Sequence, residues 1–362
     1  MSGVVTQASE LTAAWVSSAL GVPVREVRAE PVGTGQIGTV LRLHLDADPT
    51  TAPATVLAKL PATDPAARAM MAGVYRTEGR FYADLAPTLT VRAPRCLYVA
   101  VADDAASTGD VVLLLEDLAP RQQGDQLAGC TPEQARVAAL NLAGLHGPRW
   151  CDPTLLDVEG LTLNGPDDAA LLADLFAPAV DLFLESLGGE LALVTDEDAA
   201  TLRACVPVIE EWALRHRERF APVHGDYRLD NLMLPPEAGP GSELDVVAVD
   251  WQTLSLALPA RDLAYLLGTG LEPGLRRTHE RVLVEAYHRA LLAHPRPAAD
   301  GYDLETCWAD YRLAMLQGPL VTVFGCAYGT RTERGDAMFA VMLARSCAAI
   351  RELGSLDLLA AD

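Results

Sequence analysis

Lysine is almost missing from this chain of 362 residues: of its 28 basic residues, 27 are arginine and only Lys59 is lysine. Basic charge of any kind is scarce beside 49 acidic residues. The formal net charge of −21 argues against nucleic acid as a partner, because a phosphate backbone needs basic patches to displace its counterions. Long apolar runs are absent too. No stretch approaches the ~18 uninterrupted apolar residues of a membrane span. No basic leader precedes an apolar run at the N-terminus, so a soluble, unprocessed protein without a membrane partner is expected. The seven cysteines are scattered, odd in number and without a CxxC pair. That pattern fits a reducing, cytoplasmic setting better than a disulfide framework or a zinc site.

No repeat at solenoid periods and no low-complexity tail is present. The stretch "SELTAAWVSSALG" predicts a short helix with Ser9 as its N-cap and Gly21 as its stop. From about residue 25 to 118 the text is β-rich with one helix, and from about 131 onward helical patterns dominate. The change falls at "VVLLLEDLAP". This asymmetry predicts an α+β chain of two lobes: a small antiparallel sheet with one helix at 1–118, and a larger, mainly helical lobe at 119–362.

"GTGQIG", from Gly33 through Gly35 to Gly38, satisfies GxGxxG, a weak signal alone. A dinucleotide fold needs a helix directly after the glycines. Here "TVLRLHLD" follows, and Leu41, Leu43 and Leu45 alternate with Val40, Arg42 and His44 at strand period. A glycine loop between strands is the arrangement that covers phosphates with backbone N–H groups in kinases, although an ordinary hairpin turn has the same pattern. Lys59 ends the next strand, "TVLAK". The helix after it opens on Asp64 as N-cap and Pro65, and places Met71, Tyr75, Glu78, Tyr82 and Leu85 on one stripe. A carboxylate amid an apolar face must be paired or bear a desolvation cost of several kcal/mol. Arg76 and Arg80, two residues away, point to other faces, whereas a lysine from the neighbouring strand can reach Glu78. In the phosphoryl-transfer template such a lysine holds the nucleotide's α and β phosphates. A compact ammonium suits that bridge better than a wide guanidinium fork. The alternative is a surface lysine that escaped replacement by arginine.

"VHGDYRLDNLML", from Val223, carries the strongest signal. Asp226 and Asn231 stand five apart, matching a loop in which the aspartate accepts a hydroxyl proton and the asparagine binds metal. "NLML" and "LDVVAVD" read as two strands of a hairpin, which should bring Asp250 near Asn231 and let two oxygens converge on one magnesium ion. His224 and Asp262 read as structural supports of the loop.

At these residues the sequence resembles the aminoglycoside phosphotransferase and choline-kinase-like superfamily, whose fold is that of protein kinases. The likeness runs through "KLP", "EGRFYADLAP", "APRCLYV", "VVLLLEDL", "LAGLHGPRW", "HGDYRLDNLM" and "VDWQTLSLALPARDLAYLL". Its wording is most like the ecdysteroid-kinase-like (CHK-like) branch and the phosphotransferase domains fused to acyl-CoA dehydrogenases. The resemblance implies that Asp226 is the catalytic base, that Asn231 and Asp250 bind Mg2+, and that Lys59 and Glu78 form the nucleotide ion pair. It also implies that Glu116, Asp117 and Leu118 meet the adenine of ATP through their backbone. Gly225 stands where protein kinases have the arginine of HRD, Trp251-Gln252 replaces Phe-Gly, and eleven residues separate Asp250 from Asp262. That leaves no room for a long activation loop, so a small-molecule hydroxyl acceptor is expected rather than a protein. A hydroxylated apolar compound of steroid, terpenoid or hydroxy-acyl type comes first. An aminoglycoside or amino alcohol comes second, since residues 151–200 hold twelve Asp or Glu and no Lys, Arg or His. That stretch also reads as the solvated face of amphipathic helices. A nucleotide-binding pseudokinase is the rival of another class.

Overall fold

Residues 3–32, 38–102, 109–236 and 244–359 are described by the computed structural model. They divide into two units, each with its own interior. Residues up to Thr88, Ala93–Pro120 and Val249–Leu254 form the first, and Leu89–Arg92, Arg121–Ala248 and Ser255 onward form the second.

The first unit begins with helix α1 (Ala13–Leu20). Thr12, not Ser9, caps it: the Thr12 hydroxyl accepts from the Trp15 N–H at 3.2 Å, and Gly21 ends the helix at φ 70°. Ser9 lies instead in a 3-10 turn, which closes early because the Glu10 carboxylate takes the N–H groups of Thr6 and Gln7. Strands β1 (Val24–Pro31), β2 (Gly38–Ala47), β3 (Thr55–Pro61), β4 (Cys96–Val101) and β5 (Val111–Glu116) make an antiparallel sheet in the order β1-β2-β3-β5-β4. Strand alternation puts Leu41, Leu43, Val56, Ala58, Leu60, Val112 and Leu114 in one core with Val16 of α1. Lys59 falls on the opposite face.

Helices α2 (Pro65–Met70) and α3 (Ala72–Arg80) follow, with Asp64 accepting from the Ala67 N–H at 2.8 Å. The single helix read from the sequence is broken at Met71 (φ −97°, ψ 10°). Gly109 packs onto this break against Arg68 and Ala72, and Asp110 pairs with Arg68 at 3.1 Å. A π-helical turn, Phe81–Leu85, continues α3. The stripe survives the break: Tyr75, Glu78, Tyr82 and Leu85 are all buried.

The second unit is mainly helical. It contains β6 (Gln122–Gln123), α4 (Pro132–His146), α5 (Pro166–Phe183), α6 (Asp196–Cys205), α7 (Ile209–Leu214), β7 (Ala221–Val223), β8 (Leu232–Leu234), β9 (Val247–Ala248) and β10 (Ser255–Ala257), then α8 (Ala260–Gly270), α9 (Pro273–Leu291), α10 (Pro295–Ala299), α11 (Leu304–Leu313), α12 (Gln317–Tyr328) and α13 (Glu333–Leu353). Every residue of α8 except Arg261 is buried, Asp262 and Thr269 included, which makes it the central helix. Strand β8 pairs antiparallel with β9, Leu232 opposite Ala248, as the hairpin reading requires. Among the described residues no helix is long and apolar enough to cross a membrane.

Gly38 shows how tightly β2 and β3 meet: a Cβ there would lie 2.6 Å from the Leu60 carbonyl oxygen. Backbone cannot yield as a side chain can, so Gly38→Ala is expected to cost about 1–3 kcal/mol. Denaturant unfolding of the purified variant checks this, and an unchanged midpoint would contradict it.

Candidate functional site

Lys59 leaves β3 on the face that α3 covers, and there its Nζ meets Glu78 Oε1 at 2.7 Å. Glu78 is 3% exposed. Its carboxylate has further partners in the Val249–Leu254 segment. The Trp251 N–H donates to Oε1 at 3.4 Å and Gln252 Nε2 to Oε2 at 3.5 Å. Trp251 also stacks on Phe81, with ring centroids 3.7 Å apart and planes within 8°. The Trp-Gln pair that departs from Phe-Gly thus serves the glutamate, a use the sequence alone did not disclose.

Asp250 is the third charged group here, with Oδ1 3.8 Å from Lys59 Nζ. Burial disfavours the ammonium, but Glu78 and then Asp250 outweigh it, so the Lys59 pKa stands above that of an ordinary lysine. Asp250 sits at φ 69°, a left-handed conformation that costs a non-glycine residue about 1–3 kcal/mol at most and aspartate least. Its Oδ1 is buried and accepts no hydrogen bond among the described residues. A buried carboxylate oxygen without a donor fits a cation ligand. Among the described residues no group of three or more His, Cys, Asp or Glu is arranged to hold a metal ion.

In the second unit Asp226 lies on the loop after β7, and both of its oxygens are engaged. Tyr265 of α8 donates its hydroxyl to Oδ1 at 2.9 Å, and Asn231 Nδ2 donates to Oδ2 at 2.9 Å. Asn231 Nδ2 also reaches the Asp226 carbonyl at 2.9 Å, which leaves its Oδ1 as the atom able to ligate. Burial first, then the nearby Asp226 charge, push the Tyr265 phenol well above the tyrosine range, so it remains a donor.

Asp262 at the start of α8 accepts from the N–H groups of His224 (2.6 Å) and Gly225 (2.9 Å). Gly225 has φ 81°, a region that favours glycine, which accounts for the departure from HRD. His224 is fully buried, and its Nδ1 accepts from the Asp226 N–H at 3.4 Å. His146 backs Asp262 at 3.3 Å and is itself bonded to the Tyr287 hydroxyl at 2.8 Å.

A second brace holds the other side of this loop. Buried Asp230 accepts from the Gln126 N–H at 3.0 Å and from both terminal nitrogens of Arg334. The Gln126 side chain accepts from the Leu229 N–H at 2.8 Å and donates to Thr269. Tyr265, Gln126 and Arg334 escaped the sequence reading because each acts across a long sequence gap. Of these, only Tyr265 left a signal, a tyrosine inside the buried helix "DLAYLL".

Of the other predicted residues, Gly33 and Gly35 lie outside the described residues. Gly38 opens β2. The Glu116 carboxylate takes the Arg95 N–H at 2.9 Å, and Asp117 pairs with Arg42 at 2.7 Å, so both side chains are occupied within the sheet. The Leu118 N–H makes no hydrogen bond among the described residues.

Comparison with known proteins bears on the family and the fold. Residues 183–297 match the family model of the ecdysteroid kinase-like family. No curated protein matches the sequence at a significant level. Solved structures with a similar fold include choline kinase from Cryptosporidium parvum, with 9% identity, coverage of 96% of this chain and 95% of that one, and a TM-score of 0.58. Plasmodium vivax ethanolamine kinase gives 10% identity, 90% and 84% coverage and a TM-score of 0.53. Aminoglycoside 2'-phosphotransferase-IIIa, solved with GDP, gives 15% identity, 92% and 97% coverage and a TM-score of 0.51. The chain therefore has the two-lobed α+β kinase-like fold of the aminoglycoside phosphotransferases and choline and ethanolamine kinases, with the ecdysteroid kinase-like match carried by residues 183–297.

Proposed function

We propose that this protein is a magnesium-dependent small-molecule kinase that transfers the γ-phosphate of ATP to a hydroxyl group. The observation that carries this reading is the buried Lys59–Glu78 pair, with Asp250 beside the same ammonium. An ammonium so held presents its remaining N–H groups to phosphate oxygens without losing its place. Glu116 to Leu118 take the adenine through their backbone, consistent with the uncommitted Leu118 N–H.

Asp226 acts as the base. Tyr265 and Asn231 fix its two oxygens, so one lone pair remains aimed at an incoming hydroxyl, and the proton passes to that carboxylate as the oxygen attacks phosphorus. Asn231 and Asp250 would hold the magnesium ion, which when bound offsets charge on the phosphates. His224 and Asp262 position the loop and touch no reactant.

For the acceptor, the reading favours a hydroxylated apolar compound. The ecdysteroid kinase-like match supports it, as do Leu171, Leu175 and Leu182, which α5 leaves exposed at helical spacing. A cationic amino alcohol or aminoglycoside is the second reading, favoured by the twelve acidic and no basic residues of 151–200. The intact set of Lys59, Glu78, Asp226, Asn231 and Asp250 weighs against a pseudokinase.

Incubation with ATP, magnesium and a mixed panel of hydroxylated sterols, terpenoids and amino alcohols should yield a phosphorylated product by mass spectrometry. Asp226→Ala should lose that product while retaining its ATP-induced thermal shift. Product from the variant at the wild-type rate would refute the assignment of the base. Lys59→Arg should bind Mg–ATP about tenfold or more weakly, because a guanidinium fork does not fit between carboxylate and phosphate. An unchanged thermal shift with Mg–ATP would contradict that role.

A further inference from the structure

Buried arginines elsewhere in the second unit are answered by oxygen acceptors. Arg219 pairs with Asp310 at 2.7 Å, Arg276 with Glu280 at 2.5 Å, and Arg345 donates to the carbonyls of Gln126, Leu127 and Thr269. One small pocket gathers three more. Arg215, Arg217 and Arg261 line it together with Asn164 and Ser255, and its lining contains no carboxylate. Three arginines lining one concavity stand out in a chain with net charge −21.

Separate segments deliver these groups. Asn164 precedes α5, Arg215 and Arg217 follow α7, Ser255 opens β10, and Arg261 lies in the first turn of α8. Arg261 is fixed: its guanidinium lies 4.0 Å above the Trp212 ring, and Nη2 donates to the carbonyls of Trp212 (3.3 Å) and Ala213 (3.0 Å). Its Nε is buried and makes no hydrogen bond, and the same holds for Nε of Arg217. Arg217 forms no ion pair among the described residues. Arg215 is tied by one terminal nitrogen to Glu211 at 2.7 Å. Burial pushes Arg261 down to about 10, with Asp262 opposing the shift, so it is still a cation at neutral pH.

Arg217 is a half-buried cation that forms no ion pair among the described residues, and a guanidinium presents its N–H groups in a fork that matches an oxyanion. We propose that this pocket is a binding site for a dianionic phosphate group, held by the N–H donors of Arg217 and Arg261, with Arg215, Asn164 and Ser255 completing the cradle. With Arg215 answered by Glu211, the two charges of Arg217 and Arg261 favour a dianion over a monoanion. The site lies wholly within the second unit and uses none of the groups assigned to phosphoryl transfer, so it does not rest on that reading. Its neighbour Asp262 holds the N–H groups of His224 and Gly225, which places the anion one residue from the support of the Asp226 loop.

Isothermal titration of the full chain with inorganic phosphate, at ionic strength held constant with chloride, tests the proposal. Wild type should bind phosphate, and Arg217→Ala about tenfold or more weakly. Circular dichroism checks that the variant folds, and if it does not, Arg217→Lys, which keeps charge but loses the fork, should bind several-fold more weakly. Glycerol phosphate binding more tightly than inorganic phosphate would identify a phosphomonoester as the ligand, and equal binding would identify free phosphate. Three results would overturn the site: no heat of binding in wild type, an affinity unmoved by either Arg217 substitution, or acetate binding as tightly as phosphate.

Discussion

A buried carboxylate must find a cation, and in the first unit that requirement organises everything else. Among the described residues Glu78 pairs with one cation, the lysine of β3, and the contact at 2.7 Å ties the sheet to α3. The same carboxylate receives the Trp251 N–H and the Gln252 amide, so one side chain holds strand, helix and the segment that carries Asp250. Breaking such a pair by removing one partner leaves a buried charge and costs about 3–5 kcal/mol. This accounts for a lysine at position 59 in a chain that otherwise uses arginine. An ammonium keeps two further donors free when one is bound to Glu78, and a planar fork in that space would be committed to the carboxylate.

The second unit solves a related problem by different means. Its loop from His224 to Asn231 has to be irregular enough to offer Asp226 yet fixed enough to aim it. Two buried carboxylates do the fixing. Asp262 collects backbone N–H groups from one side, and Asp230, with Gln126 and Arg334, closes the other. Tyr265 then sets the carboxylate plane from the central helix. A carboxylate held on both oxygens in this way needs no reorganisation to keep its orientation.

Much of this was legible in the sequence because the relevant signals are local or periodic. Glu78 stood out by falling on the apolar stripe with Tyr75, Tyr82 and Leu85, and Asp226 with Asn231 by their spacing. The antiparallel pairing of β8 with β9 is legible in two short apolar runs around a turn, and the fold supplies its register. What escaped has a common cause. The break at Met71 depends on Gly109 and Asp110 arriving from the connection between β4 and β5, and the Phe81–Trp251 stack joins residues far apart in the chain. Ser9 has the residue type of a cap, whereas Glu10 competes for the nearby N–H groups and moves the helix start to Thr12. Tertiary partners of this sort carry no periodicity, and only the fold reveals them.

A crystal structure of the full chain with magnesium and a non-hydrolysable ATP analogue bears most directly on the central claim. The account predicts Lys59 Nζ within hydrogen-bond distance of α- or β-phosphate oxygens while still bonded to Glu78, with the metal on Asp250 and Asn231. A triphosphate bound elsewhere, with the Lys59–Glu78 pair untouched by it, would contradict the account.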